Sequence, residues 1–293
     1  MRLRSLLFVP GDSERKFAKA RGAGADVLIL DLEDSVAPSQ KDIARATVAR
    51  LLDDTVPHAW RFFVRPNPFD TGLTLADLAA VVRPGLDGLL IPKVDGARDV
   101  ERIGHYLDAL EAKAGMTPGT VKIAVVATET PAAMFALGSY APAHHRLVGL
   151  TWGAEDLAAA IGATDNKEED GRWTRPYQQA RSLCLYAAAN AGVAPIDTLF
   201  ADYRDTPGLE RDCRRARRDG FTGRIAIHPD QVETINRCFS PSEAELATAR
   251  RIVDAFAAQP DAGTLGLDGK MVDIPHLKAA QRTLAASDDA RTA

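Results

Sequence analysis

The sequence predicts a closed parallel (β/α)8 barrel of the TIM class, followed by a C-terminal extension. Eight short runs of branched apolar residues alternate with segments of helical periodicity, as a parallel sheet covered on both faces requires. No hairpin signal separates one run from the next. Polar and ionisable residues recur just after the runs, and a closed barrel would gather them on its C-terminal face, where such barrels keep their active sites. An open doubly wound sheet can be built from the same units. The count of eight and the recurring polar ends favour closure.

The first run, residues 4–9 (RSLLFV), stops at Pro10 and Gly11, after which Asp12 can cap a helix reaching Gly22. The second, residues 27–36 (VLILDLEDSV), starts as a wholly apolar strand and finishes in Asp31, Glu33 and Asp34. Strand alternation places Asp31 and Glu33 on one side. The next helix, over 40–52, has Ile43, Thr47, Val48, Leu51 and Leu52 on one face. Residues 61–65 form the third run, closed by Pro66-Asn67-Pro68. A short helix with Leu75, Leu78, Val81 and Val82 leads to the fourth, 88–93. Val100, Ile103, Leu107 and Leu110 then mark a helical stripe.

The fifth run, 121–127, enters Thr128-Glu129-Thr130-Pro131, with Pro131 suited to a first helical turn. The sixth, 146–151, enters Trp152-Gly153-Ala154-Glu155-Asp156. A polar insertion over 164–175 is the candidate for a mobile loop above a site. A helix over 177–191 ends at Gly192, which can take a left-handed cap. The last two runs are 195–200 and 224–227, the latter stopping at His228 and Pro229.

The repeat ends there, giving a barrel domain over 1–239 and an extension over 240–293. Ser240-Pro241-Ser242-Glu243 has the form of a capping box for a helix through Ile252, Val253 and Phe256. Gly263, Gly266 and Gly269 suggest a flexible segment leading into residues 271–275 and a last helix, with disorder after Ser287. The extension is too small to fold alone, so it should pack on the barrel or on a neighbouring subunit.

Composition narrows the class of function. With 46% hydrophobic residues over 293 positions the chain can bury a full core, and a formal net charge of -4 gives no basis for a nucleic-acid surface. Arg211, Arg214, Arg215, Arg217 and Arg218 read as a solvated helix face, with a phosphate contact as the alternative. No run is long enough to cross a bilayer. Cys184, Cys213 and Cys238 are widely spaced, without zinc or disulfide patterning, which suits a reducing cytoplasm.

Several strand-end residues carry candidate chemistry. Glu129 and Asp156 end consecutive units, so their carboxylates can converge as a hard oxygen site for Mg²⁺; each could instead be a helix N-terminal carboxylate favoured by the dipole. Arg65 ends an apolar strand and needs acids or an anionic ligand, with Asp31 or Glu33 as salt-bridge partners. Lys93 could form a Schiff base or serve as the cation for the carboxylates of 31–34. His228 could act as a base or simply end a strand.

In order along the chain, RSLLFVPG (4–11), LDLEDSV (30–36), VRPN (64–67), IPKV (91–94), TET (128–130), GAEDL (153–157), GFTGRIAIHPDQV (220–232) and GKMVDIP (269–275) together resemble the citrate lyase β-subunit-like lyases, which include malyl-CoA and citramalyl-CoA lyases. The resemblance spans nearly the whole chain. It implies a cytoplasmic trimer or pair of trimers that binds Mg²⁺ through Glu129 and Asp156, with Arg65 and Glu129 against the substrate. It also implies that Asp273, on a lid given by a neighbouring subunit, is the acid/base. Glu33, Asp34 and Lys93 would stand behind the metal ligands, orienting waters or bracing Arg65. The implied reaction cleaves or forms a 3-hydroxyacyl-CoA thioester, with an acyl-CoA and a small α-keto acid as partners. A malyl-CoA-type thioesterase, a subunit acting on a carrier-protein citryl group and a non-catalytic thioester-binding subunit are the alternatives.

Overall fold

Branched residues at consecutive positions give short strands whose two faces are both apolar, and the sheet they make is closed. The computed structural model describes residues 1–53 and 58–288. Its strands are β1 (Ser5–Pro10), β2 (Val27–Asp31), β3 (Arg61–Arg65), β4 (Gly88–Ile91), β5 (Lys122–Val126), β6 (Leu147–Thr151), β7 (Ala194–Asp197) and β8 (Gly223–Ala226). Each pairs in parallel with the next, and β8 pairs back onto β1. Between and after them run α1 (Glu14–Ala20), α2 (Lys41–Leu52), α3 (Thr74–Val81), α4 (Ala97–Lys113), α5 (Pro131–Ala136), α6 (Glu155–Ile161), α7 (Arg175–Ala191), α8 (Thr206–Asp219) and α9 (Val232–Phe239). This is the expected TIM barrel.

Leu6, Ile29, Phe63, Leu90, Val126, Ile196 and Ile225 fill the barrel interior. Phe63 fits because its neighbour across the ladder is Gly88: a Cβ there would stand 2.4 Å from the phenyl Cζ. Replacing that glycine would therefore force the ring out of the core.

Several local expectations are corrected. β2 stops at Asp31 instead of continuing through the acidic residues, because the Asp31 carboxylate accepts the backbone N–H groups of Glu33 and Ser35, each at 3.0 Å. That side-chain turn bends the backbone, so Asp31 and Glu33 are not alternate positions of one strand. β4 ends at Ile91, as Pro92 offers no N–H to the ladder. Ser13, not Asp12, caps α1. On α2 the buried stripe is Ala44, Thr47, Val48 and Leu52, with Ile43 exposed. Leu75 on α3 is exposed as well, and Asp77 is buried in its place, accepting from Asn67 N, Asn67 Nδ2 and Arg45 Nε. The basic face of α8 is solvated, as expected, with Arg214 paired to Glu210 one turn away. Residues 164–174 fold as a small hairpin, with Lys167 bridged antiparallel to Trp173.

Packing groups the chain into two compact units: Leu3–Asn236, and the residues from Arg237 onward with Met1 and Arg2. Within the second, Ser242 caps α10 (Glu243–Ala257) and Glu245 closes its capping box, two positions later than expected. The glycine-rich stretch is a β-hairpin, β9 (Thr264–Leu267) and β10 (Lys270–Asp273), turned by Asp268 at φ 55° and Gly269 at φ 74°. Both turn residues are left-handed, the geometry that two-residue hairpins favour and that Asp-Gly supplies. Arg251 pairs with Asp268. α11 (Ile274–Asp288) then runs one residue past Ser287, and the rest of the expected disordered tail lies outside the described residues. Among the described residues no helix is long and apolar enough to cross a membrane, and the three cysteines are buried.

Candidate active site

Strand register creates the centre of the site. Asp31 and Arg65 are partners across β2 and β3, both at the C-terminal end, so their side chains meet directly. Arg65 donates from Nε to Asp31 Oδ1 and from Nη2 to Asp31 Oδ2, both at 2.7 Å, a bidentate fork in which Asp31 is fully buried. Its Nη1 lies 2.9 Å from Glu33 Oε2, and its guanidinium carbon sits 4.6 Å above the Phe8 ring. Burial alone would raise the Asp31 carboxyl, but the hydrogen bonds and charge of Arg65 outweigh it and hold the group below its ordinary value. The salt bridge foreseen for Arg65 is thus present, and the same residue lines an open cleft.

Lys93 ties the remaining acids together. It is non-glycine at φ 49°, a costly left-handed conformation that turns its backbone N–H onto Glu129 Oε2 at 2.6 Å. Its ammonium pairs with Glu33 Oε1, with Asp34 Oδ2 at 3.3 Å and with Asp156 Oδ1 at 3.2 Å. Burial pulls the ammonium down, yet Glu33, Asp156 and Asp34 together push it well above the usual lysine range. With three carboxylates around its ammonium, Lys93 is placed as the cation for these acids.

Glu129 follows β5 and is buried; Asp156 sits in the first turn of α6 and is half exposed. Gly153 makes room for Glu129, since a Cβ there would stand 2.9 Å from Glu129 Cγ. Its backbone N–H donates to Thr128 Oγ1 at 3.1 Å, clipping the ends of β5 and β6 together. Burial pushes the Glu129 carboxyl up to about 8, and the nearby Asp156 and Glu33 charges add to the rise.

These features fit a hard divalent cation. The Glu129 carboxylate is buried beside two further acids, and such a group is stabilised in its charged form when a cation joins it. Carboxylate oxygens are the donors Mg²⁺ prefers, commonly only one or two per ion, with water and substrate completing the shell. Among the described residues no group of three or more His, Cys, Asp or Glu is arranged to hold a metal. Glu129 and Asp156, both lining the cleft, are two carboxylates that could offer such oxygens.

The cleft, open to solvent, is lined by Arg65, Glu129 and Asp156 together with the apolar side chains of Phe8, Leu90, Val126, Trp152, Trp173 and Leu199. The aromatic wall is what the sequence reading missed. Trp152 is held by its indole N–H, which donates to the buried Asp197 at 2.7 Å. Trp173 comes from the polar insertion. Asp34 is exposed and touches the site through Lys93. His228 caps the turn Pro229–Gln231, with Nδ1 accepting from Asp230 N, and its ring stacks on Tyr203, so its structural reading holds.

Asp273 lies in the C-terminal unit, at the junction of β10 and α11. Its Oδ1 accepts from the His276 backbone N–H at 3.3 Å and meets His276 Nδ1 at 2.5 Å. The hydrogen bond from His276 holds its carboxyl below the ordinary value.

A parallel barrel with acids, an arginine and a lysine converging at its C-terminal mouth has the arrangement of an enzyme active site. The chain belongs to the HpcH/HpaI aldolase/citrate lyase family, whose model matches residues 4–229. It is 38% identical over 288 residues to a (3S)-malyl-CoA thioesterase of Cereibacter sphaeroides, spanning 97% of this chain and 94% of the relative. It is 33% identical over 287 residues to the citrate lyase subunit beta of Escherichia coli, spanning 97% and 93%. Its fold matches CitE of Mycobacterium tuberculosis, solved with magnesium, acetoacetate and coenzyme A, with a TM-score of 0.77, 32% identity and 98% of both chains covered.

Proposed function

We propose that this protein is a Mg²⁺-dependent carbon-carbon lyase that cleaves, or forms, a 3-hydroxyacyl-CoA thioester such as malyl-CoA or citramalyl-CoA, exchanging it for an acyl-CoA and an α-keto acid. The observation that carries this reading is the convergence of Glu129, Asp156 and Arg65 on one cleft. Glu129 and Asp156 would hold the Mg²⁺, which when bound would supply Lewis acidity to the oxygens of the keto-acid portion.

The chain's own residues account for the rest. Arg65 stabilises oxyanion charge on the substrate, and the fork to Asp31 fixes it beforehand, so little reorganisation is needed when charge develops. Lys93 sets the orientation of Glu129 through its backbone and balances Glu33, Asp34 and Asp156 through its ammonium. In cleavage, the bond between the carbinol carbon and the thioester α-carbon breaks. Its electron pair passes into the thioester enolate, the hydroxyl proton passes to water as the keto group forms, and Asp273, protonated from water, delivers a proton to the α-carbon, so that no net proton is gained or lost. In condensation Asp273 removes that proton. Asp273 would act from a lid contributed by a neighbouring subunit of a homotrimer or hexamer.

Asp273→Asn should abolish turnover and leave Mg²⁺ binding intact; undiminished turnover would sink the acid/base assignment. The lyase reading itself is tested by incubating the purified protein with Mg²⁺, acetyl-CoA or propionyl-CoA and a panel of α-keto acids, with mass-spectrometric detection of the condensed thioester. A thioesterase reading is favoured by the 38% identity to proteins of that name, and it requires free CoA and intact hydroxy acid as products.

A further inference from the structure

We propose that Trp173 is the specificity-determining residue of this cleft, limiting the length of the alkyl side chain on the α-keto acid that the site accepts. The inference deepens the lyase reading and rests on it. The charged groups Arg65, Glu129 and Asp156 share the cleft with the apolar side chains of Leu90, Val126, Leu199 and Trp173. An α-keto acid whose carboxylate and carbonyl oxygens are held by the charged groups leaves its remaining substituent to the apolar side chains of the cleft. A side chain that fills it displaces water from apolar surface and gains affinity; one too long meets the indole of Trp173.

Trp173 can set such a limit because its position is fixed from several directions. Its ring meets Trp152 edge to face, with centroids 5.1 Å apart at 72°, and Tyr177 at 6.2 Å. Lys167 Nζ lies 3.0 Å over the ring centroid from the facing strand of the insertion hairpin. Trp152 is in turn anchored by Asp197, itself gripped by Arg181 and Arg224. A wall braced this way yields poorly to an extra methylene. The insertion, polar over most of its length, thus brings one large aromatic residue to the cleft.

The test compares the wild type, Trp173→Phe and Trp173→Ala in the condensation direction with Mg²⁺ and acetyl-CoA. The α-keto acid side chain is lengthened from methyl to ethyl to propyl. Trp173→Ala is expected to raise kcat/KM for the propyl keto acid relative to the methyl one by about tenfold or more, with Trp173→Phe in between. An unchanged ratio overturns the proposal, as does a shift that follows the acyl chain of the thioester when that is varied instead. Binding of the same keto acids with Mg²⁺ and no thioester, read by calorimetry, separates the two ideas. A Trp173-dependent ranking in binding without any turnover contradicts the lyase reading and sustains this one, whereas turnover without any such ranking does the reverse. Trp173→Phe keeps the aromatic packing, so a folding failure of Trp173→Ala leaves the proposal testable.

Discussion

The backbone N–H of Lys93 donates to Glu129 Oε2 at 2.6 Å from a residue at φ 49°. A left-handed lysine costs on the order of 1 kcal/mol or more relative to a relaxed backbone. The cost is borne where the same residue also delivers its ammonium to Glu33, Asp34 and Asp156. Backbone and side chain therefore serve different acids, and two substitutions separate them. Lys93→Gly relieves the backbone and keeps the N–H to Glu129, while Lys93→Ala retains the strain; both remove the cation. Both should lower kcat by about 10²-fold, in the range of a lost charge-stabilising donor, with Lys93→Gly the more heat-stable of the two. Equal melting temperatures would show that the backbone strain has no energetic weight.

Mg²⁺ binding should release protons at neutral pH. The Glu129 carboxyl is pushed up to about 8 by burial and by Asp156 and Glu33, and a metal ligand must be deprotonated. Calorimetric titration with Mg²⁺ at pH 7 in buffers of different ionisation enthalpy should show close to one proton released per ion, and Glu129→Gln should abolish the release. A heat independent of the buffer would contradict the role given to Glu129.

Acid stability should depend on Asp31. Its folded carboxyl lies below the ordinary 3.8 because Arg65 outweighs burial. A carboxyl depressed on folding binds fewer protons in the folded state, so its stabilisation is complete above the unfolded value and is lost as pH falls through the folded one. Asp31→Asn should be less stable at pH 7, and its urea midpoint should fall less steeply than the wild type's below about pH 4. Parallel slopes would refute the assignment.

Asp197 should be among the costliest residues to remove. It accepts from Arg224 Nη2 at 2.8 Å, Arg181 Nε and Nη2, Trp152 Nε1 and the Thr198 backbone. Asp197→Ala would leave the buried Arg224 without this partner and is expected to cost about 3–5 kcal/mol, measured by urea unfolding. A loss under about 1 kcal/mol would show that Asp212, also paired with Arg224, suffices.

What the sequence revealed of the barrel follows from physics that acts locally. Strands covered on both faces must be apolar throughout, so all eight stood out, and polar residues at their ends collect on one face whatever the loops do. Arg65, Lys93, Glu129 and Asp156 were visible for that reason. Features set by three-dimensional packing were not. Asp31 bends its own backbone through a side-chain turn, which overrides the alternation expected for Glu33. Ile43 and Leu75 satisfy helical periodicity, yet Ala44 and Asp77 fill the buried positions because partners were waiting for them. Trp173 gave no signal within a polar insertion, since its neighbours Trp152 and Tyr177 are distant along the chain or on another element. The Asp268-Gly269 turn was in plain view, but three glycines nearby argued for flexibility over a hairpin.

The most direct test of the proposed lyase is product analysis in the cleavage direction. Purified protein with Mg²⁺ and malyl-CoA or citramalyl-CoA should yield acetyl-CoA together with glyoxylate or pyruvate in equal amounts, with the reaction stopped by EDTA and by Glu129→Gln. Free CoA with intact malate or citramalate, or turnover that persists in Glu129→Gln, would contradict it.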